Sequence, residues 1–238
     1  MSHSLQFAEK DAVHGLAGLL YWLGNLDKKI SARGFINAQS GTATYRALRV
    51  VELLGNGWIW LPLPVVVVMF SPRAALRHRA LLLSLAVGFI FDILCLGIIK
   101  AIFRRPRPKY NAADGLHVLS DKWSFPSGHA SRAFLIFALA VRHEKQRLGA
   151  FGVVLVLAWA ATTSACRIMQ GRHYAGDVLA GALLGLLEAA AVMYAPEKLQ
   201  HALEQPLAGR LVAKSAAAKL SPGTVLRAGR KLLRYTGY

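Results

Sequence analysis

The stretch Ala80–Ile99, ALLLSLAVGFIFDILCLGII, decides the fold class: twenty residues whose only charge is Asp92. At about 1.5 Å of rise per residue, a helix of that length crosses the roughly 30 Å hydrocarbon core of a bilayer. Outward from it lie three similar runs. Leu53–Phe70 and Gly149–Cys166 each have 18 residues without a charge, and Val178–Tyr194 has 17 broken only by Glu188. A fifth, Pro126–Val141, is polar over its first turn and apolar from Ala133 onward, so it crosses only if its polar end lines a protected cavity. The expected fold class is therefore all-α, a polytopic membrane helical bundle of five spanning helices. Gly15–Leu23 is too short to span and follows Glu9 and Asp11, so it reads as an interfacial or half-inserted N-terminal helix rather than a cleaved signal peptide. Asp92 and Glu188 are costly in lipid and should face the bundle interior. Gly181 and Gly185 suit close helix packing.

Composition agrees with this reading: 55% of the 238 residues are hydrophobic and the mean hydropathy is +0.38. The net charge of +17 comes from 29 Lys and Arg against 12 Asp and Glu. These cations are spread over loops and a tail, not along one soluble face with interleaved aromatics, so nucleic acid is not the expected partner. Membrane lipids are, with basic loops meeting anionic head groups. Cys95 and Cys166 sit in apolar runs and read as small buried hydrophobes. The chain divides into an N-terminal amphipathic or interfacial region (1–50), a membrane-embedded domain (51–195) and a basic tail (196–238). The tail is expected to be a surface helix or unstructured. Five crossings place the N-terminus, the Lys100–Trp123 loop and the Arg167–His173 loop on one face. Ser71–Arg79, Arg142–Arg147 and the C-terminus then share the other, which loop charge marks as cytoplasmic.

Three polar segments thus meet on one face: KAIFRRPRP (Lys100–Pro108), PSGH (Pro126–His129) and RIMQGRHYAGD (Arg167–Asp177). Pro106 and Pro108 forbid continued helix, so Arg107 can fold back toward Lys100. Pro126 suits a first helical turn whose free amides attract an anion. Gly128 admits the anion to the backbone, Ser127 adds a hydroxyl, and His129 can give a proton to a leaving oxygen. His173 and Asp177 are one helical turn apart, so the carboxylate can hold one ring nitrogen and leave the other to attack. Arg167 supplies a forked donor. Fixed cations, two histidines and one carboxylate can bind a phosphate and hydrolyse its ester without a metal or cofactor.

The series Lys-x6-Arg-Pro, Pro-Ser-Gly-His, Arg-x5-His-x3-Asp resembles the three-part signature of the type-2 phosphatidic acid phosphatase (lipid phosphate phosphatase) superfamily, which vanadium haloperoxidases and bacterial acid phosphatases share. The resemblance covers roughly residues 50–195. It implies Lys100, Arg107, Ser127, Gly128 and Arg167 as phosphate binders, His129 as general acid, His173 as a nucleophile forming a phosphohistidine, and Asp177 as its partner. Members are typically six-helix membrane proteins, with Gly15–Leu23 standing in for a reduced first helix. The third motif usually begins Ser-Arg; here it begins Cys166-Arg167. The wider strings look most like the polyisoprenoid diphosphate (presqualene diphosphate) phosphatase branch. That implies a lipid or polyisoprenoid (di)phosphate substrate in the endoplasmic reticulum; the loop charge read above puts the site on the luminal or extracytoplasmic side. A phosphatidate-type phosphatase and a catalytically silent membrane scaffold of the same fold are the alternatives; the oligomeric state is left open. Cys166-x5-Arg172 also matches the bare cysteine-phosphatase loop, but that loop needs a strand-to-helix turn and normally ends Arg-Ser/Thr, whereas His173 follows here.

Overall fold

A computed structural model describes residues 15–70, 77–110 and 122–194. Those residues are helical and contain no strand: α1 (Leu16–Gly34), α2 (Ala43–Leu54), α3 (Gly57–Trp60), α4 (Leu63–Phe70), α5 (Arg79–Phe103), α6 (Gly128–Met169) and α7 (Ala175–Met193). The all-α membrane bundle expected from the sequence is the fold observed. The tail, the first fourteen residues and most of the Ser71–Arg79 loop lie outside the described residues.

Among the described residues three helices, α5, α6 and α7, are long and apolar enough to cross a membrane. At 42 residues α6 would extend about 63 Å, twice a bilayer core. Its backbone breaks at Gly149, where φ is +62°. Glycine tolerates that left-handed value, which lets one apolar stretch end and the next begin. The expected Arg142–Arg147 loop is therefore helix instead, and the reversal needs little more than one glycine. Leu53–Phe70 differs too. It is split between the end of α2, α3 and α4, because Gly55, Asn56 and Pro62 interrupt the helix and the Asn56 side chain caps α3 by accepting from Trp58 N. The Gly15–Leu23 segment is the start of the longer α1.

Cross-contacts fix the directions. Ser84 meets His143 and Asp92 meets Arg132, so α5 runs antiparallel to the first half of α6. Glu52 meets Arg167 and Gly55 packs on Thr163, so α2 runs antiparallel to the second half. A Cβ at Gly181 would strike the Ser127 carbonyl, and one at Gly185 the Ser131 carbonyl, so α7 runs beside the first half of α6 at backbone contact. Leu85, Phe89, Leu135, Ile136, Leu139, Ala189 and Val192 fill the core between α5, α6 and α7. Outside it Ile98, Val154, Leu179 and Leu183 stay more than half exposed, a surface suited to lipid.

Asp92 and Glu188 do face inward and are fully buried, as their cost in lipid requires. Ser131 Oγ lies 2.7 Å from Asp92 Oδ1 and 3.2 Å from Glu188 Oε2, and Arg132 holds Asp92 Oδ2 at 2.6 Å. One hydroxyl proton cannot serve two acceptors, and one cation balances only one of two carboxyls. A further proton between Ser131 and Glu188 Oε2 resolves that contact, while Glu188 Oε1 and Arg132 Nε stay without a hydrogen-bond partner.

Candidate active site

The chain leaves α5 through Arg104, which adopts the left-handed region at φ 44° and directs Arg105-Pro106-Arg107-Pro108 back over the bundle. Ser124 ties this loop down: its backbone N–H donates to the Arg105 carbonyl at 2.8 Å, and its hydroxyl lies within hydrogen-bond reach of the Arg105 and Pro106 carbonyls. Ser127 is the N-cap of α6, and its N–H donates to the Asp177 carbonyl at 2.9 Å, which joins the second segment to the third. Gly171, at φ +66°, turns the chain after α6, and both Arg172 N and His173 N donate to the Arg167 carbonyl. The three polar segments are thereby tied together at one end of the bundle, as one site needs.

Lys100 Nζ donates to the Trp123 carbonyl at 2.8 Å, and Arg107 reaches the Arg172 carbonyl at 3.1 Å. Arg167 is buried and pairs with Glu52 at 2.8 Å, with Gln170 completing the contact. Burial by itself would raise the Glu52 carboxyl, but the Arg167 charge and hydrogen bonds from Arg167, Arg49 and Gln170 outweigh it and bring Glu52 to about 2. Ser127 Oγ, His129 Nε2 and Arg167 Nε are buried without a hydrogen-bond partner. Buried polar atoms are ordinarily satisfied, so three such atoms beside the start of α6 mark where a polar ligand belongs. Gly128 starts that helix as expected, with room for a Cβ limited by Leu96.

His173 is buried, and its Nδ1 lies 2.7 Å from the Ser124 carbonyl. A carbonyl only accepts, so Nδ1 carries the proton and Nε2 keeps the lone pair. Burial pushes the imidazole down to about 3, with the Arg107 and Arg167 charges adding to it against the Asp177 contact, so the ring is neutral near pH 7. Asp177 does not hold the ring directly: its Oδ2 is 3.8 Å from Nδ1, beyond a hydrogen bond. Instead Asp177 Oδ2 accepts from Tyr174 N at 2.9 Å and Oδ1 from Arg105 at 2.6 Å. The four-residue spacing brings the two side chains near each other, but His173 lies in the turn before α7 and not one helical turn from Asp177. It could not reveal that a main-chain carbonyl forty-nine positions away in sequence is the nearer acceptor.

The residues missed by sequence reading are Arg105, Asp27, Ser31, Glu52 and Ser124. Arg105 was hidden among Arg104, Arg107 and the prolines of one basic string. Asp27 and Ser31 carry no motif beyond a separation of four residues within α1. Arg105 also lies over the Tyr174 ring, 4.1 Å from its centroid. Burial alone would lower this guanidinium, but Asp27 and Asp177 raise it, so its charge is secure. Among the described residues no three His, Cys, Asp or Glu side chains gather as a metal site.

Known proteins resemble this chain. A probable lipid phosphate phosphatase beta of Arabidopsis thaliana is 38% identical over 135 residues, covering 47% of this chain and 63% of the relative. An undecaprenyl-diphosphatase of Sulfolobus acidocaldarius is 29% identical over 150 residues, covering 60% and 66%. The chain thus spans just under two thirds of the length of these relatives. The crystal structure of a transmembrane PAP2 type phosphatidylglycerolphosphate phosphatase from Bacillus subtilis superposes with a TM-score of 0.58 at 26% identity, covering 81% of this chain and 92% of that one. The PAP2 superfamily profile matches residues 81–201, from the first turn of α5 past the end of α7, and takes in all three polar segments. With more than half its length inside that profile, the chain belongs to the PAP2 superfamily.

Proposed function

We propose that this membrane protein hydrolyses the phosphate ester or anhydride of a lipid through a phosphohistidine on His173, without a metal. The observation that carries this is the His173 ring: neutral, buried, with Nδ1 committed to Ser124 and Nε2 left basic. Lys100, Arg107 and Arg167, with Ser127, Gly128 and the first amides of α6, bind the non-bridging oxygens. His173 Nε2 attacks phosphorus while the bond to the lipid oxygen breaks, and His129 gives that oxygen its proton. Water then attacks the phosphohistidine, His129 takes the water's proton, and inorganic phosphate leaves with His173 restored. Fixed cations stabilise the extra charge of the five-coordinate phosphorus in both steps.

The substrate class rests on the membrane setting and on the names of the relatives, a lipid phosphate phosphatase and an undecaprenyl-diphosphatase. Among such lipids we favour polyisoprenoid diphosphates, on the resemblance of the wider motif strings. The same resemblance suggests the endoplasmic reticulum, and loop charge suggests a site facing its lumen. The test is phosphate release by detergent-purified protein from prenyl diphosphates and from phosphatidate, in EDTA, with and without vanadate. Turnover of a prenyl diphosphate in EDTA that vanadate blocks supports the reading. Preference for phosphatidate corrects the substrate, restoration by magnesium alone overturns the mechanism, and inactivity on every lipid leaves a silent scaffold.

A further inference from the structure

We propose that Arg105 and Asp27 are positioning residues for the His173–Asp177 segment, so that the N-terminal helix α1 is part of the active site. The guanidinium spans two carboxylates: one arm donates to Asp177 Oδ1 at 2.6 Å and the other to Asp27 Oδ2 at 2.7 Å. Its flat face lies on Tyr174, the residue between His173 and α7. Asp27 does more than balance the charge. Its Oδ1 accepts from Gly176 N at 2.7 Å, while Ser31 Oγ accepts from Ala175 N at 2.8 Å and donates to the Asp27 carbonyl at 2.6 Å. The first free amides of α7 are therefore capped by side chains of another helix, a task usually done by the residue just before the helix.

This arrangement acts on chemistry through Asp177. With Oδ1 held by Arg105 and Oδ2 by Tyr174 N, the carboxylate is fixed 3.8 Å from His173 Nδ1. There it faces the charge that appears on the ring as His173 bonds to phosphorus, and Arg105 sets how much of its negative charge remains available. Both arms of Arg105 are occupied by carboxylates, so its effect belongs to the chemical step and not to phosphate binding. A lysine cannot replace it, because one ammonium does not present a planar fork.

The inference rests on the proposed role of His173, and the test separates the two. Kinetics on one soluble phosphate ester are measured for Arg105→Gln, Arg105→Lys, Asp27→Asn, Asp177→Asn, His173→Ala, the Arg105→Gln/Asp177→Asn double variant, and Arg104→Ala as a neighbouring-cation control, each with a thermal melt. Arg105→Gln should lower kcat about ten- to hundredfold, in the range of lost outer contacts, with KM within about threefold. Arg105→Lys should not restore it. Asp27→Asn can keep the Gly176 acceptor but replaces the oxygen that accepts from Arg105 by an amide nitrogen, freeing one arm of the guanidinium while the other stays on Asp177, so its kcat loss should be smaller but measurable. In the Asp177→Asn background, Arg105→Gln should cost little more. Additive losses, a rise in KM instead of a fall in kcat, or full activity in Arg105→Gln and Asp27→Asn would overturn the positioning role. If Arg105→Gln does not fold, Asp27→Asn decides alone. An active His173→Ala protein would instead overturn the proposed function.

Discussion

Two polar networks, one in the middle of the bundle and one at its end, differ in purpose. At the membrane-embedded middle, Asp92, Ser131, Arg132 and Glu188 bond one another, with Glu188 Oε1 and Arg132 Nε left over, and two carboxyls face one cation, so the cluster reaches neutrality with one added proton. At the end of the bundle, six cations (Arg49, Lys100, Arg105, Arg107, Arg167 and Arg172) accompany three carboxylates, Asp27, Glu52 and Asp177, among the described residues. Ser127 Oγ and His129 Nε2 there lack partners in the protein. Lipid tolerates charge only when it is cancelled, so the first network serves the fold. A cation-rich network with waiting donors is suited instead to an anion that arrives from outside.

The comparison breaks most sharply at His173. His173→Ala should reduce kcat about ten-thousandfold or more, as loss of a nucleophile does, while the melt changes little. Labelled phosphate trapped on the wild-type protein by a base-stopped quench, and released from it by acid as a phosphohistidine requires, should vanish with it. Arg167→Ala comes next, at about a hundred- to thousandfold in kcat/KM, the usual cost of one donor to a developing oxyanion. It also takes the buried Arg167 charge away from Glu52 and leaves only Arg49 paired with it, so some loss of stability should accompany the kinetic one. A stable, active Arg167→Ala protein would place the phosphate elsewhere. Asp177→Asn should cost less than a triad carboxylate does, about ten- to hundredfold, because Ser124 already fixes the tautomer of His173.

The middle network should answer in the opposite observable. Asp92→Asn strands the Arg132 charge and should lower stability by about 3–5 kcal/mol, read as a fall in Tm, while kcat per folded molecule holds. Glu188→Gln keeps shape and one donor, so it should cost under about 1 kcal/mol. Equal effects of the two would mean both carboxyls are ionised and the sharing of a proton is wrong.

Acid distinguishes the site again. His173 is held neutral well below its ordinary value, so the unfolded chain binds the extra proton first. Stability should fall as pH drops from about 6.5, the ordinary value of histidine, toward the folded value. Glu52 adds a second loss below the ordinary carboxylate range, as pH falls toward about 2. A melt series in pH for wild type and His173→Ala separates the first window from the second.

How much of this the sequence showed depends on range. Helices announce themselves within twenty residues, so the bundle and the shared face of the three motifs were legible. Contacts set by the meeting of distant segments were not: Ser124 on His173, Glu52 on Arg167, and α1 on the start of α7. The Gly149 break lay in between, since a helix-forming HEKQRL string with a glycine after it reads equally as a loop between two apolar runs. Periodicity sees neighbours on one helix; a main-chain acceptor from another segment has no side-chain signature.

The smallest effect is expected at Cys166, one residue before Arg167 and therefore easily mistaken for chemistry. It is buried against α2, with Sγ 3.4 Å from the Leu48 carbonyl. Its neighbour across the turn, Arg172, is the other end of the cysteine-phosphatase pattern, but a thiol aimed at a carbonyl of α2 has no route to phosphorus. Cys166→Ser puts in a smaller and stronger donor facing the same carbonyl, exchanging a little packing for a better hydrogen bond. The two changes are each of order 1 kcal/mol and of opposite sign, so Tm should move little and kcat by less than about tenfold. The variant should also keep full sensitivity to vanadate and lose nothing to thiol-alkylating reagents beyond what it gains in resistance. A folded but inactive Cys166→Ser protein would move the nucleophile from nitrogen to sulfur, and with it the division between a reacting rim and a structural middle drawn here.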